Sequence, residues 1–136
     1  MYYKKQDDLL GINMEKFIFA KCDFDELQES IRKYDLELSW ELIDRNYVWK
    51  NNCYLFRIED KYGEVYAFMY YNIRSGKCHI DQFEVLKSKR DKGNGRRIIL
   101  QFMNDRNYCS EDIILLPIDE DSQKFWNQLG IKCSLY

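Results

Sequence analysis

An α/β architecture with a mixed sheet follows from three features of this 136-residue chain. Residues 53–85 hold three strand-like segments joined by short, glycine-bearing turns, which is the pattern of an antiparallel meander. Residues 78–102 (CHIDQFEVLKSKRDKGNGRRIILQF) read as a strand, a basic turn with two glycines, and a helix. Residues 112–118 (DIILLPI) are a continuous apolar run, as in a strand covered on both faces.

The elements follow in order. Residues 1–11 (MYYKKQDDLLG) have no clear period and read as a short helix or a frayed arm. Residues 14–21 (MEKFIFAK) make a first strand, with Phe17 and Phe19 on one face. Asp23 or Asp25 caps a helix running to Lys33, whose stripe is Leu27, Ile31 and Tyr34. Residues 37–49 suit a second helix with Leu38, Leu42 and Ile43 inward. Strands at 53–59 (CYLFRIE) and 65–73 (VYAFMYYNI) flank the turn Asp60-Lys61-Tyr62-Gly63, and Arg74-Ser75-Gly76 leads into the third. In that third strand His79, Asp81, Phe83 and Val85 fall at period two on one face, with Ile80, Gln82 and Glu84 on the other. Ile98, Ile99, Phe102 and Met103 recur at helical spacing. After the 112–118 strand, Asp119-Glu120-Asp121-Ser122 supplies caps for a helix over 123–129, Gly130 stops it, and 131–136 form a last strand. With no repeat, linker or low-complexity stretch, residues 1–136 read as one domain.

Composition narrows the function classes. A net charge of −2 argues against a dedicated nucleic-acid binder, although residues 87–97 form a local basic patch. The five cysteines are widely spaced and contain no C-x-x-C pair, so no metal site is expected and the thiols fit a reducing cytoplasm. No apolar run has the length needed to span a bilayer, and no membrane partner is expected.

The turn Arg90-Asp91-Lys92-Gly93-Asn94-Gly95 carries the chemistry. The first N–H groups of a helix lack intrahelical partners and sit at the positive end of its dipole. A glycine-rich turn opening a helix therefore holds phosphate well, and Arg90, Lys92, Arg96 and Arg97 add charge. Taken alone, the same residues also fit an ordinary glycine turn with a solvated charge cluster. Neither a Walker loop nor the dinucleotide fingerprint is present, because no Gly-Lys-Ser/Thr follows and Ile98 stands where the third glycine would be.

In wider context the chain resembles the GNAT superfamily of N-acetyltransferases. Phe83-Glu84-Val85, a spacer over 86–89 and then Arg90-x-x-Gly93-x-Gly95 match that family's strand, spacer and Gln/Arg-x-x-Gly-x-Gly/Ala turn. About thirty residues on, Phe125-Trp126-Asn127-Gln128-Leu129-Gly130-Ile131 is similar to the family's Phe-Tyr-x-x-Leu-Gly-Phe. The matches cover the C-terminal half, while the N-terminal half agrees in layout only.

The resemblance implies a GNAT-like fold, a mixed and mostly antiparallel sheet flanked by helices, here with a short C-terminus. It implies acetyl-CoA as co-substrate and acetyl transfer to a primary amine by direct attack in a ternary complex. Phe83 and Val85 would bind the pantetheine arm, and Arg90, Lys92, Gly93, Asn94, Gly95 and Arg96 the pyrophosphate. His79 stands where several members carry a catalytic Glu, with Asp81 placed to orient it or to attract a cationic amine. A hydrogen-bonded, half-buried strand histidine is the open alternative. Trp126 stands where many members have a Tyr that protonates the leaving thiolate, and an indole N–H donates a hydrogen bond without releasing its proton. Tyr108, Cys133, Tyr136 or water are the substitutes. The departure leaves a second function open, a weak or inactive GNAT-fold protein acting as a CoA-binding or protein-interaction regulator. Asp119 replaces a common Asn. The acceptor can be a small amine, a peptide amine or a protein lysine. The short C-terminus leaves a sheet edge that a second copy can cover, so a homodimer is one expectation.

Overall fold

The computed structural model describes residues 16–115 and 119–132. In chain order they form β1 (Ile18–Lys21), α1 (Phe24–Lys33), β2 (Cys53–Glu59), β3 (Val65–Arg74), β4 (Lys77–Val85), α2 (Asn94–Arg106), β5 (Ile113–Leu115) and α3 (Glu120–Gln128). The strands make one sheet in the order β1-β2-β3-β4-β5. Neighbours are antiparallel except β4 and β5, which α2 connects in parallel. This is the α/β fold with a mixed, mostly antiparallel sheet that the sequence leads one to expect.

Both faces of the sheet are covered. Under α2 and α3 lie Ile58, Ala67, Met69, Tyr71, Cys78 and Ile80, packed on Ile98, Ile99, Phe102 and Trp126. On the opposite face Leu55, Phe68 and Tyr70 pack on Leu27 of α1 and on Trp40, Ile43 and Val48. β3 lies mid-sheet and is buried along most of its length, which explains its near-continuous apolar and aromatic sequence. A bidentate amide pair ties β1 to α2: Gln101 accepts from the Phe17 N–H at 2.8 Å and donates to its carbonyl at 2.7 Å.

Local chemistry sets the helix ends. Asp23, not Asp25, caps α1 in a reciprocal box with Glu26. Asp119 caps α3 by accepting from the Ser122 N–H at 2.7 Å. At the far end of α3 the Gly130 N–H donates to Asn127 and the Ile131 N–H to Trp126, both at 3.0 Å. These two bonds close a Schellman motif on Gly130, whose φ is +77°.

Residues 37–49 are not the expected helix. They form two single 3₁₀ turns, Trp40–Leu42 and Arg45–Tyr47. Leu42, which a helical stripe would bury, is 77 % exposed, and Trp40 is fully buried instead. The chain is extended at Ile43 and Asp44, which ends the first turn, and the Asp44 side chain takes the Asn46 N–H that a continuous helix would bond four residues back, while the Glu37 and Leu38 amides donate to the distant Glu84 carboxylate. The arm expected over 1–11 lies outside the described residues. So does the last strand from residue 133 on, and Ile131 and Lys132 are not in a strand.

Replacing Gly130 with Ala forces a Cβ into the left-handed region, which costs about 1–2 kcal/mol. Gly130→Ala is expected to lose that much stability in chemical denaturation with an unchanged m-value.

Candidate functional site

The site begins with an irregularity in β4. The β3–β4 register runs Tyr70↔Gln82 and then Tyr71↔Ile80, so Asp81 is an extra residue bulged out of the ladder. The bulge changes which residues share a face. Cys78 and Ile80 before it, and Phe83 and Val85 after it, all pack on the α2–α3 side. His79 pairs with Asn72 and lies with it on the opposite face. The expectation that His79, Asp81, Phe83 and Val85 share one face is therefore corrected: period two holds only where no residue is inserted.

Among the described residues β4 pairs with β5 only as far as Ile80↔Leu115. Two adjoining cavities lie beyond that point. The larger, about 690 Å³, is lined by Phe83, Val85, Arg90, Gly93, Asn94, Gly95, Arg96 and Phe125 among others. The smaller, about 320 Å³, is lined by Asp81, Gln82, Glu84, Leu115, Asp119 and Glu37 among others. Phe83, Val85, Arg90, Ser122 and Trp126 belong to both. Of the residues singled out in the sequence, His79, Lys92, Arg97 and Tyr108 line neither cavity, and the Lys92 amine donates to the Ser88 carbonyl at 3.1 Å.

The two glycines of the turn have different tasks. Gly93 is the N-cap of α2 with φ +79°, no side chain caps the helix there, and a Cβ on it would meet nothing within 4 Å. Its left-handed conformation lets the chain turn sharply into α2, whose first amides have no intrahelical partner. Gly95 has no positive φ; a Cβ there would lie 3.2 Å from the Phe125 ring and 3.4 Å from Val85. Its smallness lets α2 pack on α3 and β4 rather than on a ligand. Asn94 is a buried strut, donating to the Lys89 carbonyl at 2.9 Å and accepting from Arg97 at 3.0 Å.

Trp126 is one ring of a cluster. It meets Phe125 at 5.0 Å and 82° and Phe83 at 6.0 Å and 61°, both edge-on geometries that aromatic pairs favour. The cluster fixes α3 against the free end of β4.

Glu84 is the most heavily engaged side chain of the site. Its buried carboxylate accepts from the amides of Glu37 (2.7 Å) and Leu38 (3.0 Å), from the Trp40 indole (2.8 Å) and from Arg90 (3.1 Å). Arg90 also donates to the Val85 carbonyl and to Glu37, each at 2.8 Å. A charged residue at an inward strand position was the only sequence signal for this clasp. It leaves Glu84 no free lone pair suited to accepting a substrate proton.

His79 and Asp81 lie in different surroundings. His79 Nδ1 lies 3.1 Å from the Arg74 guanidinium. Partial burial and then that cation push its pKa below the usual 6.5. Asp81 lines the smaller cavity and its Oδ2 accepts from the Asn72 amide at 2.8 Å. Burial, outweighing Asn72, Arg74 and His79, raises its pKa above the ordinary aspartate range. Among the described residues no cluster of His, Cys, Asp or Glu could hold a metal, and no helix is long and apolar enough to cross a membrane.

Removing Glu84 leaves three N–H donors without their acceptor, which costs about 1–3 kcal/mol for a buried donor, while the partly exposed Arg90 keeps Glu37 and the Val85 carbonyl. Glu84→Ala is expected to lower the unfolding free energy by that amount, and a loss under 1 kcal/mol would contradict the clasp. The His79 imidazole should titrate below pH 6.5 by NMR, and Arg74→Ala should move the midpoint up.

The sequence matches no protein-family model and no curated protein. The fold does match solved structures. A possible acetyltransferase from Clostridium difficile 630 is 12 % identical, with 90 % of this chain and 94 % of that one covered at a TM-score of 0.58. The ribosomal-protein-S18-alanine N-acetyltransferase of Escherichia coli is 11 % identical, with 84 % and 76 % covered at 0.60. An aminoglycoside N-acetyltransferase in complex with CoA is 18 % identical, with 88 % and 90 % covered at 0.60. The chain has the fold of the GNAT-type acetyltransferases.

Proposed function

We propose that the protein is an acetyl-CoA-dependent N-acetyltransferase that passes the acetyl group directly to a primary amine in a ternary complex. The observation that carries this reading is the meeting of two cavities at the bulged end of β4, one opening on the uncapped N-terminus of α2. The residues present fit acetyl-CoA. Gly93 presents helix amides with open space at its α-carbon, and Arg96 adds positive charge on the same cavity. Phe83 and Val85 continue along that cavity beyond the last described β4–β5 pair, where strand amides and carbonyls suit an extended amide-bearing arm. A solved neighbour of the same fold holds CoA, which supports the assignment.

Bound acetyl-CoA supplies the activated acyl carbon and a thiolate leaving group. The chain's own residues handle the amine. Asp81 accepts a proton from the incoming ammonium at Oδ1, since Oδ2 is held by Asn72. Its raised pKa makes it a stronger base than an ordinary aspartate. His79 has no part in this step, because it lines neither cavity. Trp126, on the wall shared by the cavities, excludes water and offers a hydrogen-bond donor that keeps its proton. That property also favours the second reading, a CoA-binding regulator with little turnover.

Thermal unfolding with acetyl-CoA at a hundred times its dissociation constant should show stabilisation of about 2.7 kcal/mol. Arg96→Glu should remove most of the shift. Asp81→Asn should retain the shift while slowing amine-dependent thiolate release by roughly 10²–10⁴-fold, with His79→Ala near wild type. No shift at millimolar acetyl-CoA would end the acetyltransferase reading. A shift without turnover on any amine would select the regulator.

A further inference from the structure

The cations around the turn into α2 are not equally available to a ligand. Lys87 pairs with Asp35 at 2.6 Å and with Glu37 at 3.4 Å. Lys89 pairs with Glu64 and lies over the Tyr66 ring. Arg97 donates to Asn94 at 3.0 Å and lies over the Phe17 ring. Arg96 is exposed, lines the larger cavity and forms no salt bridge among the described residues. Arg90 lines both cavities, yet each of its three nitrogens has a protein partner. Nε donates to the Val85 carbonyl and one terminal nitrogen to Glu37, each at 2.8 Å, and the other terminal nitrogen donates to Glu84 at 3.1 Å.

Charge decides what Arg90 can attract. It shares one cluster with Lys87, and three carboxylates, Asp35, Glu37 and Glu84, surround the two cations. Such a cluster offers a diphosphate no net attraction, and an anion reaching Arg90 meets the Glu37 charge beside it. Arg90, and then Lys87, hold the Glu37 carboxyl below the ordinary glutamate range, so the pair stays ionised at neutral pH. Direction decides what Arg90 can hold. Glu37 and Leu38 are on the wall of the smaller cavity, and Glu84 accepts both their amides and the Trp40 indole. A planar fork bonded at three points has one orientation. It joins Val85, the last residue of β4, to the segment 37–40.

We propose that Arg90 is a positioning residue of the acceptor side and not a phosphate ligand: through Glu37 and Glu84 it sets the 37–40 wall of the smaller cavity against the end of β4. The cofactor's phosphates are then met by Arg96 and the first amides of α2. The proposal rests on the acetyltransferase reading for the identity of the two cavities. Two arginines of one basic stretch thereby do separate work. Loss of Arg90 displaces the wall and with it the amine, while loss of Arg96 weakens the hold on the cofactor.

The test compares Arg90→Gln with Arg96→Gln, which remove the same charge from the same stretch. Calorimetric titration with CoA is expected to give a Kd within about threefold of the original for Arg90→Gln and about tenfold or more weaker for Arg96→Gln. The salt dependence of the Kd should fall only in Arg96→Gln. In the free protein the Trp40 indole N–H NMR signal should move in Arg90→Gln, because its acceptor Glu84 loses a neighbouring cation, and stay in place in Arg96→Gln. Where an amine is turned over, Arg90→Gln should lower kcat/KM for the amine by about tenfold or more with the KM for acetyl-CoA unchanged. Arg90→Lys, which keeps the charge without the fork, should not restore it. If Arg90→Gln fails to fold, Glu37→Gln breaks the same link at a half-exposed side chain, and the same results are expected: CoA affinity kept and the indole signal moved. A loss of CoA affinity in Arg90→Gln equal to that in Arg96→Gln overturns the proposal and leaves the acetyltransferase reading intact. An unmoved Trp40 signal overturns it too. Failure of CoA and acetyl-CoA to bind the unmutated protein strikes the acetyltransferase reading, and the Trp40 signal alone then decides whether Arg90 holds the wall.

Discussion

The buried carboxylate of Glu84 holds together parts of the chain that would otherwise have no reason to meet. Taking a charge out of water costs several kcal/mol, and only near-complete satisfaction offsets it. Glu84 reaches that state with two backbone amides, an indole and a guanidinium. Each donor comes from an element that shapes the cleft. The amides and Trp40 belong to the segment after α1, and Arg90 belongs to the turn before α2. One side chain at the end of β4 therefore fixes both the wall of the smaller cavity and the base of the glycine turn. The return on the desolvation cost is geometric definition more than stability, since an apolar residue could fill the same volume but could not orient three amide and indole donors and a guanidinium.

The bulge at Asp81 complements that clasp. An inserted residue breaks the ladder, bends the strand and turns the following residues to the other face. Upstream, β4 is an ordinary buried strand between β3 and β5. Downstream, Phe83 and Val85 face the large cavity while Glu84 faces the clasp. Asp81 itself, released from the ladder, carries its carboxyl into the smaller cavity. The strand thereby presents a carboxylate of raised pKa and two apolar walls within five residues.

The turn into α2 shows how one motif meets two separate physical demands. Gly93 is needed for its backbone angle, because the turn enters α2 through a left-handed N-cap that a side chain would strain. Gly95 is needed for its size, because Phe125 and Val85 occupy the place of a side chain. Phe125 in turn stacks with Phe83 and Trp126. The aromatic cluster, the glycine and the strand end form one packed unit joining β4, α2 and α3.

Local rules made much of this readable in advance. Most strand periods, a cap at Asp23 or Asp25 and another within 119–122, the stop at Gly130 and the basic glycine turn depend on neighbours within a few residues, so the amino-acid order alone determines them. That Phe83, Val85 and the turn share one site was implied by the family resemblance, and they line one cavity. Three features did not follow. Residues 37–49 are not one helix: the Trp40 indole is anchored on Glu84, more than forty residues away, and the chain is extended at Ile43 and Asp44. His79 lost its place beside Phe83 because strand pairing inserted Asp81 as a bulge, which no periodicity can register. The acidic lining of the smaller cavity came from residues on β4, on the segment after α1 and at the start of α3. Each of these depends on contacts between segments far apart in the chain, and such contacts exist only once the sheet has formed and its two faces are covered.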